Sequence, residues 1–69
     1  GIVFGLSAAL HGRISFRDGA VEQTNFDSYR LISMADCPPI QTIIIPSDAP
    51  PGGVGEPGTP PIAPALANA

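Results

Sequence analysis

Between Pro46 and Pro64, seven prolines and four glycines fill eleven of nineteen positions. Each proline fixes its φ and removes a backbone donor, so no helix or sheet interior runs through this stretch. What remains for regular structure is short, because the whole chain has 69 residues. A domain of that size buries only about 60% of the surface its unfolded chain exposes. It usually needs a disulfide, a structural metal or a partner. One cysteine excludes an internal disulfide. One cysteine with one histidine falls short of the four N or S ligands of a closed zinc site.

Charge narrows the partners. The net charge is −3 and no lysine is present, which argues against nucleic-acid binding and against a basic membrane-surface helix. Hydrophobic residues make up 43% and charged residues 13%, so the chain is not an ordinary disordered tail. The opening GIVFGLSAAL lacks a basic flank and is about half the length of a membrane span. Gly1 and Gly5 form a GxxxG pair, read here as small residues that let a helix pack closely on a neighbour. A first residue other than Met and an incipient terminal helix suggest a fragment or a processed piece.

The chain divides by composition. Residues 1–45 carry a helix and strands, 46–61 the Pro/Gly-rich loop, and 62–69 the start of a helix. Residues 2–10 read as a helix with Ala8, Ala9 and Leu10 as good formers. Gly12 is expected just past its end in the left-handed conformation. Apolar residues surround this helix, so it is expected to be buried. RISFR, Asp18-Gly19 and AVEQTNF read as a β-hairpin, with a type I′ turn that demands positive φ at both central residues. That turn sets Arg17 opposite Ala20, Phe16 opposite Val21 and Ile14 opposite Gln23. Ile14, Phe16 and Val21 then share a half-buried face, with Arg13, Ser15 and Glu22 behind it. Tyr29–Met34 suits an extended path that ends at Cys37-Pro38-Pro39. Residues 41–45 read as a third strand, apolar on both faces. Pro64 falls in the first turn of the terminal helix, where a missing donor costs little. The fold class is α+β.

Few residues suit chemistry. His11 sits at a helix C-terminus, which explains it without a site. Cys37 has no neighbouring base or cation to activate a thiolate. Asp18, Asp27, Asp36 and Asp48 look like turn and surface residues. Two PxxP matches, Pro57–Pro60 and Pro61–Pro64, raise the reading of a Pro-rich partner-binding arm. No basic residue lies in 31–69 to anchor such an arm in an acidic groove.

The loop Gly52–Gly58 is the richest candidate. Gly53 to Gly58 matches GxGxxG, the dinucleotide fingerprint when it lies between strand and helix. Three features argue against that reading. Glu56 would face the pyrophosphate. Pro57 deletes a donor where donors are wanted. The acidic ribose ligand, about 20 residues further on, has no position in the chain. The same loop serves Glu56 better. Gly53 and Gly55 admit close approach of a bulky ligand, and Pro57 holds Glu56 extended. The positive end of the following helix favours a carboxylate. One stiffly held carboxylate in a loop otherwise without charge is how a general base is presented. Spacing alone still favours a linker that holds one glutamate.

The segment PSDAPPGGVGEPGTPPIAPALANA, most of all GVGEPGTPPIAPALANA, resembles the C-terminal part of the molybdenum-binding subunit of bacterial molybdenum hydroxylases, the xanthine dehydrogenase and aldehyde oxidase superfamily. GIVFGLSAALHGRISFRDGAVEQTNFDSYRLISM is similar to the helix, hairpin and NF-x-x-Y stretch ahead of that family's glutamate loop. The resemblance implies that residues 1–69 are one piece of a larger molybdopterin-binding domain. It implies Glu56 as general base, and Gly53, Val54 and Gly55 against a molybdopterin cytosine dinucleotide carrying molybdenum, with no metal ligand from this chain. The implied reaction hydroxylates an electron-poor carbon of an N-heteroaromatic or aldehyde with oxygen from water. The implied partners are the rest of the large subunit and an iron–sulfur subunit, in a periplasmic or cytoplasmic bacterial enzyme. The piece alone is expected to be inactive and to self-associate. A non-catalytic interaction module with a Pro-rich arm is the alternative.

Overall fold

A computed structural model describes residues 1–69. The chain order is helix α1 (Ile2–His11), strand β1 (Phe16–Arg17), strand β2 (Ala20–Val21) and helix α2 (Ile62–Asn68). Two helices and one two-stranded antiparallel sheet agree with the α+β class. Both helices begin where the sequence placed them, and Pro64 lies in the first turn of α2.

The hairpin follows its turn chemistry. Asp18 and Gly19 take φ of 51° and 78°, the two positive angles a type I′ turn requires. The register pairs Phe16 with Val21 and Arg17 with Ala20. Glu22 N donates to the Ser15 carbonyl at 2.9 Å, one step further along. On the polar face, Ser15 Oγ donates to Glu22 Oε2 at 2.7 Å, and Arg17 Nε meets Glu22 Oε1 at 2.7 Å. The opposite face is not half-buried as expected. Phe16 is 70% exposed, and Ile14 and Val21 stand open beside it. The reason is topological: α1 packs on α2, and no element lies across the hairpin.

Three further expectations are corrected. Residues 41–45 form no strand. Ile43, Ile44 and Ile45 are 78%, 86% and 82% exposed. A strand exists only through a partner edge, and no backbone hydrogen bond of the chain reaches this segment. Gly12 is not left-handed but extended, at φ −62° and ψ 106°. Its glycine character answers a close approach, since a Cβ there would stand 2.5 Å from the Ala8 carbonyl oxygen. Helix α1 is also far from buried all round, because only Gly5, Leu6 and Ser7 are covered.

The hairpin ends sooner than AVEQTNF suggests, since β2 stops at Val21 and Asn25–Tyr29 is a single tight turn. The amides of Ser28 and Tyr29 both donate to the Asn25 carbonyl, at 3.0 and 2.8 Å. The extended path after Tyr29 stops at Ser33, whose carbonyl accepts from Asp36 and Cys37.

Only three of 69 residues are buried, and the Cα radius of gyration is 16.0 Å. A compact chain of this length has about 11 Å. The extents of 55 × 26 × 23 Å describe an elongated piece whose ordered centre is the α1–α2 contact.

Candidate functional site

The Glu56 loop hangs from that contact. Glu56, Pro57, Gly58 and Thr59 form a turn closed by Thr59 N donating to the Glu56 carbonyl at 2.9 Å. Proline at the second position presets such a turn. Gly58 has no positive φ. It is small because Ile2 of α1 lies over it, with Cγ1 3.0 Å from where a Cβ would stand. Helix α1 thus meets the loop on its C-terminal side.

Gly53, Gly55, Glu56 and Pro57 line one open concavity of about 410 Å³. Of the residues singled out in the sequence, Gly53, Gly55 and Glu56 come together there. Val54 does not line it, and its side chain stands in solvent. The Glu56 carboxylate is exposed and takes part in no hydrogen bond or ion pair, while every other acid except Asp18 and Asp48 is engaged. Helix α2 begins six residues further on, at Ile62, with no side-chain cap. It therefore holds the loop through the chain rather than through the carboxylate.

The glycines separate into two groups. A Cβ on Gly1, Gly5 or Gly12 would collide with this chain's own atoms, one on Gly58 would press on Ile2, and Gly19 needs its positive φ. A Cβ on Gly52, Gly53 or Gly55 would meet nothing within 4 Å, and none of the three has positive φ. Within the chain, neither sterics nor backbone angle asks for glycine at 52, 53 or 55.

The remaining candidates are structural. His11 closes α1, with Nε2 buried and unpartnered. Cys37 is half-buried, with Sγ 3.7 Å from the Pro38 carbonyl oxygen. Asp36 accepts Ser33 Oγ at 2.7 Å and lies 3.8 Å from the Arg30 guanidinium. The Ser33 bond, aided by Arg30 and His11, lowers its pKa. No three of the His, Cys, Asp and Glu side chains converge. No helix is long and apolar enough to cross a membrane.

Thr59 and Ile62 carried no functional weight in the sequence, yet they link the loop to α1. The GxxxG spacing of Gly1 and Gly5 was the available signal, and both glycines do face this segment.

Two known proteins share this sequence over nearly its full length. The isoquinoline 1-oxidoreductase subunit beta of Brevundimonas diminuta is 36% identical over 69 residues, which is all of this chain and 9% of that protein. The membrane-bound aldehyde dehydrogenase (pyrroloquinoline-quinone) of Gluconacetobacter polyoxogenes is 34% identical over 67 residues, 97% of this chain and 9% of that protein. No family model matches, and no solved structure does. The chain therefore aligns with one short segment of each of these two proteins. Over its whole length the chain is similar to one segment of the isoquinoline 1-oxidoreductase beta subunit. It spans about a tenth of the length of the relatives it matches.

Proposed function

We propose that this segment presents Glu56 as the general base of a molybdenum hydroxylase. The observation that carries the reading is the pair of glycines beside an unengaged carboxylate. Gly53 and Gly55 have no reason within the chain to lack side chains. An outside group lying against the backbone would supply one. The open space over them leaves room for such a group along Gly53 and Gly55, while Val54, which the resemblance also implied, lies outside that space.

When bound, molybdenum in molybdopterin cytosine dinucleotide supplies the two-electron redox chemistry. Glu56 accepts a proton as oxygen from water adds to an electron-poor carbon. The turn closed by Thr59 and the stiffness of Pro57 fix the Glu56 backbone, the base from which its carboxylate reaches a proton at hydrogen-bond distance. The relatives' names speak of an isoquinoline and an aldehyde, so the substrate class is an N-heteroaromatic ring or an aldehyde. The word "subunit" in one name supports a multi-subunit enzyme, with an iron–sulfur subunit and the rest of the large subunit as partners. A free Pro-rich binding arm fits less well, because the end of the run is packed on α1.

The second relative's name carries pyrroloquinoline quinone. Metal and cofactor analysis of the purified holoenzyme separates the two chemistries. Molybdenum near one per large subunit is the expected result, and a quinone with no molybdenum would overturn it. Replacement of Glu56 by glutamine in that enzyme tests the base itself.

A further inference from the structure

We propose that Gly5 is a positioning residue for Glu56, acting through Thr59 and Ile62. The inference rests on the role proposed for Glu56 and adds the device that sets its position.

The first turn of α1 lies against residues 58–62. A Cβ on Gly5 would overlap the Ile62 Cγ2 methyl and stand 2.8 Å from the Thr59 carbonyl oxygen. A Cβ on Gly1 would stand 2.8 Å from Thr59 Oγ1 and 3.1 Å from Thr59 N. Between the two glycines, Ile2 covers Gly58. Three successive contacts therefore clamp the downstream half of the Glu56 turn.

The clamp reaches Glu56 by one bond. Thr59 N donates to the Glu56 carbonyl, so the plane of Thr59 sets the plane of Glu56. The Thr59 carbonyl faces Gly5, and this group is backbone with no rotamer to yield. A methyl on Gly5 pushes Thr59 away from α1, and the turn moves with it. The upstream side offers no second hold, because no backbone–backbone hydrogen bond engages residues 38–55 and the side-chain bonds there are local. Within this chain the α1 contact is the fixed point from which the carboxylate is placed. Misplacement of a catalytic group by about 1 Å costs up to about 10²-fold in rate.

The experiment compares Gly5→Ala, Gly5→Ala with Ile62→Ala, Ile62→Ala alone, and Ala9→Ser as an exposed control on α1. All are made in the holoenzyme that carries this segment. Readouts are kcat, KM, molybdenum content, and hydrogen exchange of the peptide holding the Thr59 amide. Gly5→Ala is expected to lower kcat about 10- to 100-fold, with KM and molybdenum unchanged and Thr59 exchange faster. The double variant, which removes the Ile62 methyl, should recover part of kcat. Ile62→Ala should give a smaller loss in the same direction, without added bulk in the contact. Ala9→Ser should match wild type. Unchanged exchange in Gly5→Ala and Ile62→Ala overturns the clamp. Faster exchange with normal kcat overturns its link to Glu56, provided Glu56→Gln is impaired in the same enzyme. If Glu56→Gln is itself normal, the base assignment fails, while the exchange data still decide the clamp.

Discussion

The Ile32 amide donates to the Ser7 hydroxyl at 3.0 Å, and this bond joins α1 to a segment 25 residues away. Ser7 is one of three buried residues. Its hydroxyl faces the middle of the chain instead of solvent, and no other hydrogen bond links α1 to residues 31–33. Ser7→Ala leaves the Ile32 N–H unpaired. The donor is only part-buried, so losing its acceptor costs the net value of one hydrogen bond, about 0.5–1.5 kcal/mol. Hydrogen exchange at Ile32 should therefore quicken by about 2- to 10-fold in Ser7→Ala, while the hairpin amide of Glu22 keeps its rate. Equal rates at Ile32 in both proteins would mean that the segment is held by something other than this bond.

Asp36 offers a test by pH. Its carboxyl is held below the ordinary aspartate value first by the Ser33 hydroxyl, then by Arg30 and His11, against a partial opposing effect of burial. A lowered folded-state pKa stabilises above the unfolded value, and that contribution is lost as pH falls through the folded value. The 33–37 turn should therefore loosen only under acid conditions, below the usual carboxylate range. Ser33→Ala removes the leading cause, so the Asp36 pKa should rise toward its ordinary value. Carboxyl chemical shifts across an acid titration measure this directly. An unmoved Asp36 in Ser33→Ala would assign the shift to Arg30 and His11.

What was legible in the sequence was local. Asp18-Gly19 specifies its own turn because both angles lie within two residues, and the register of Phe16 and Val21 follows from it. The start of α2 was readable from Pro64 and its alanines. Residues 41–45 were misread because β-propensity describes a side chain's fit to a sheet. It does not supply the second edge. Gly12 was misread because glycine serves close approach as well as positive φ, and the nearby Ala8 carbonyl becomes visible only in three dimensions. The contact of Gly5 with Ile62 spans 57 positions. GxxxG announced a close partner without naming it. At the candidate site, the pattern of the loop could not separate a base from a linker; the family resemblance supplied Glu56. The structure adds that Val54 lies outside the concavity formed by its neighbours.

The bare isoleucines lead to a third prediction. Residues 43–45 are apolar, exposed and unpaired along the backbone, which is the condition under which edges pair between molecules. Prolines at 38, 39 and 46 bracket the segment and limit the length of any such strand. The isolated 69-residue chain should show a light-scattering mass that rises with concentration above 7.0 kDa. Ile44→Lys places a charge in the middle of the segment and should shift the mass toward the monomer. A constant mass of one chain across a wide concentration range would show that this segment is covered or inert in solution.

The last prediction concerns Glu56 and Asp48, two exposed acids in the same Pro/Gly-rich run. Composition does not distinguish them, but position does. Asp48 lies outside the concavity formed by Gly53, Gly55, Glu56 and Pro57, beside a short bond from Ala49 N to Ser47 Oγ. Glu56 stands on the turn that α1 clamps. Glutamine at 56 preserves size and can still hydrogen-bond, but it cannot take a proton. Removing a general base costs about 10²–10⁴-fold. In the holoenzyme, Glu56→Gln should lower kcat by that amount, with substrate affinity and molybdenum content near normal. Asp48→Asn should be nearly silent on every readout. The 69-residue chain alone should show no activity, since under the proposed function it supplies only one part of the cofactor site. If Glu56→Gln retains full cofactor and turns over near the wild-type rate, Glu56 is a loop residue and the base lies elsewhere in the subunit. If both variants lose cofactor equally, the run serves to build the site, and proton transfer belongs to another group.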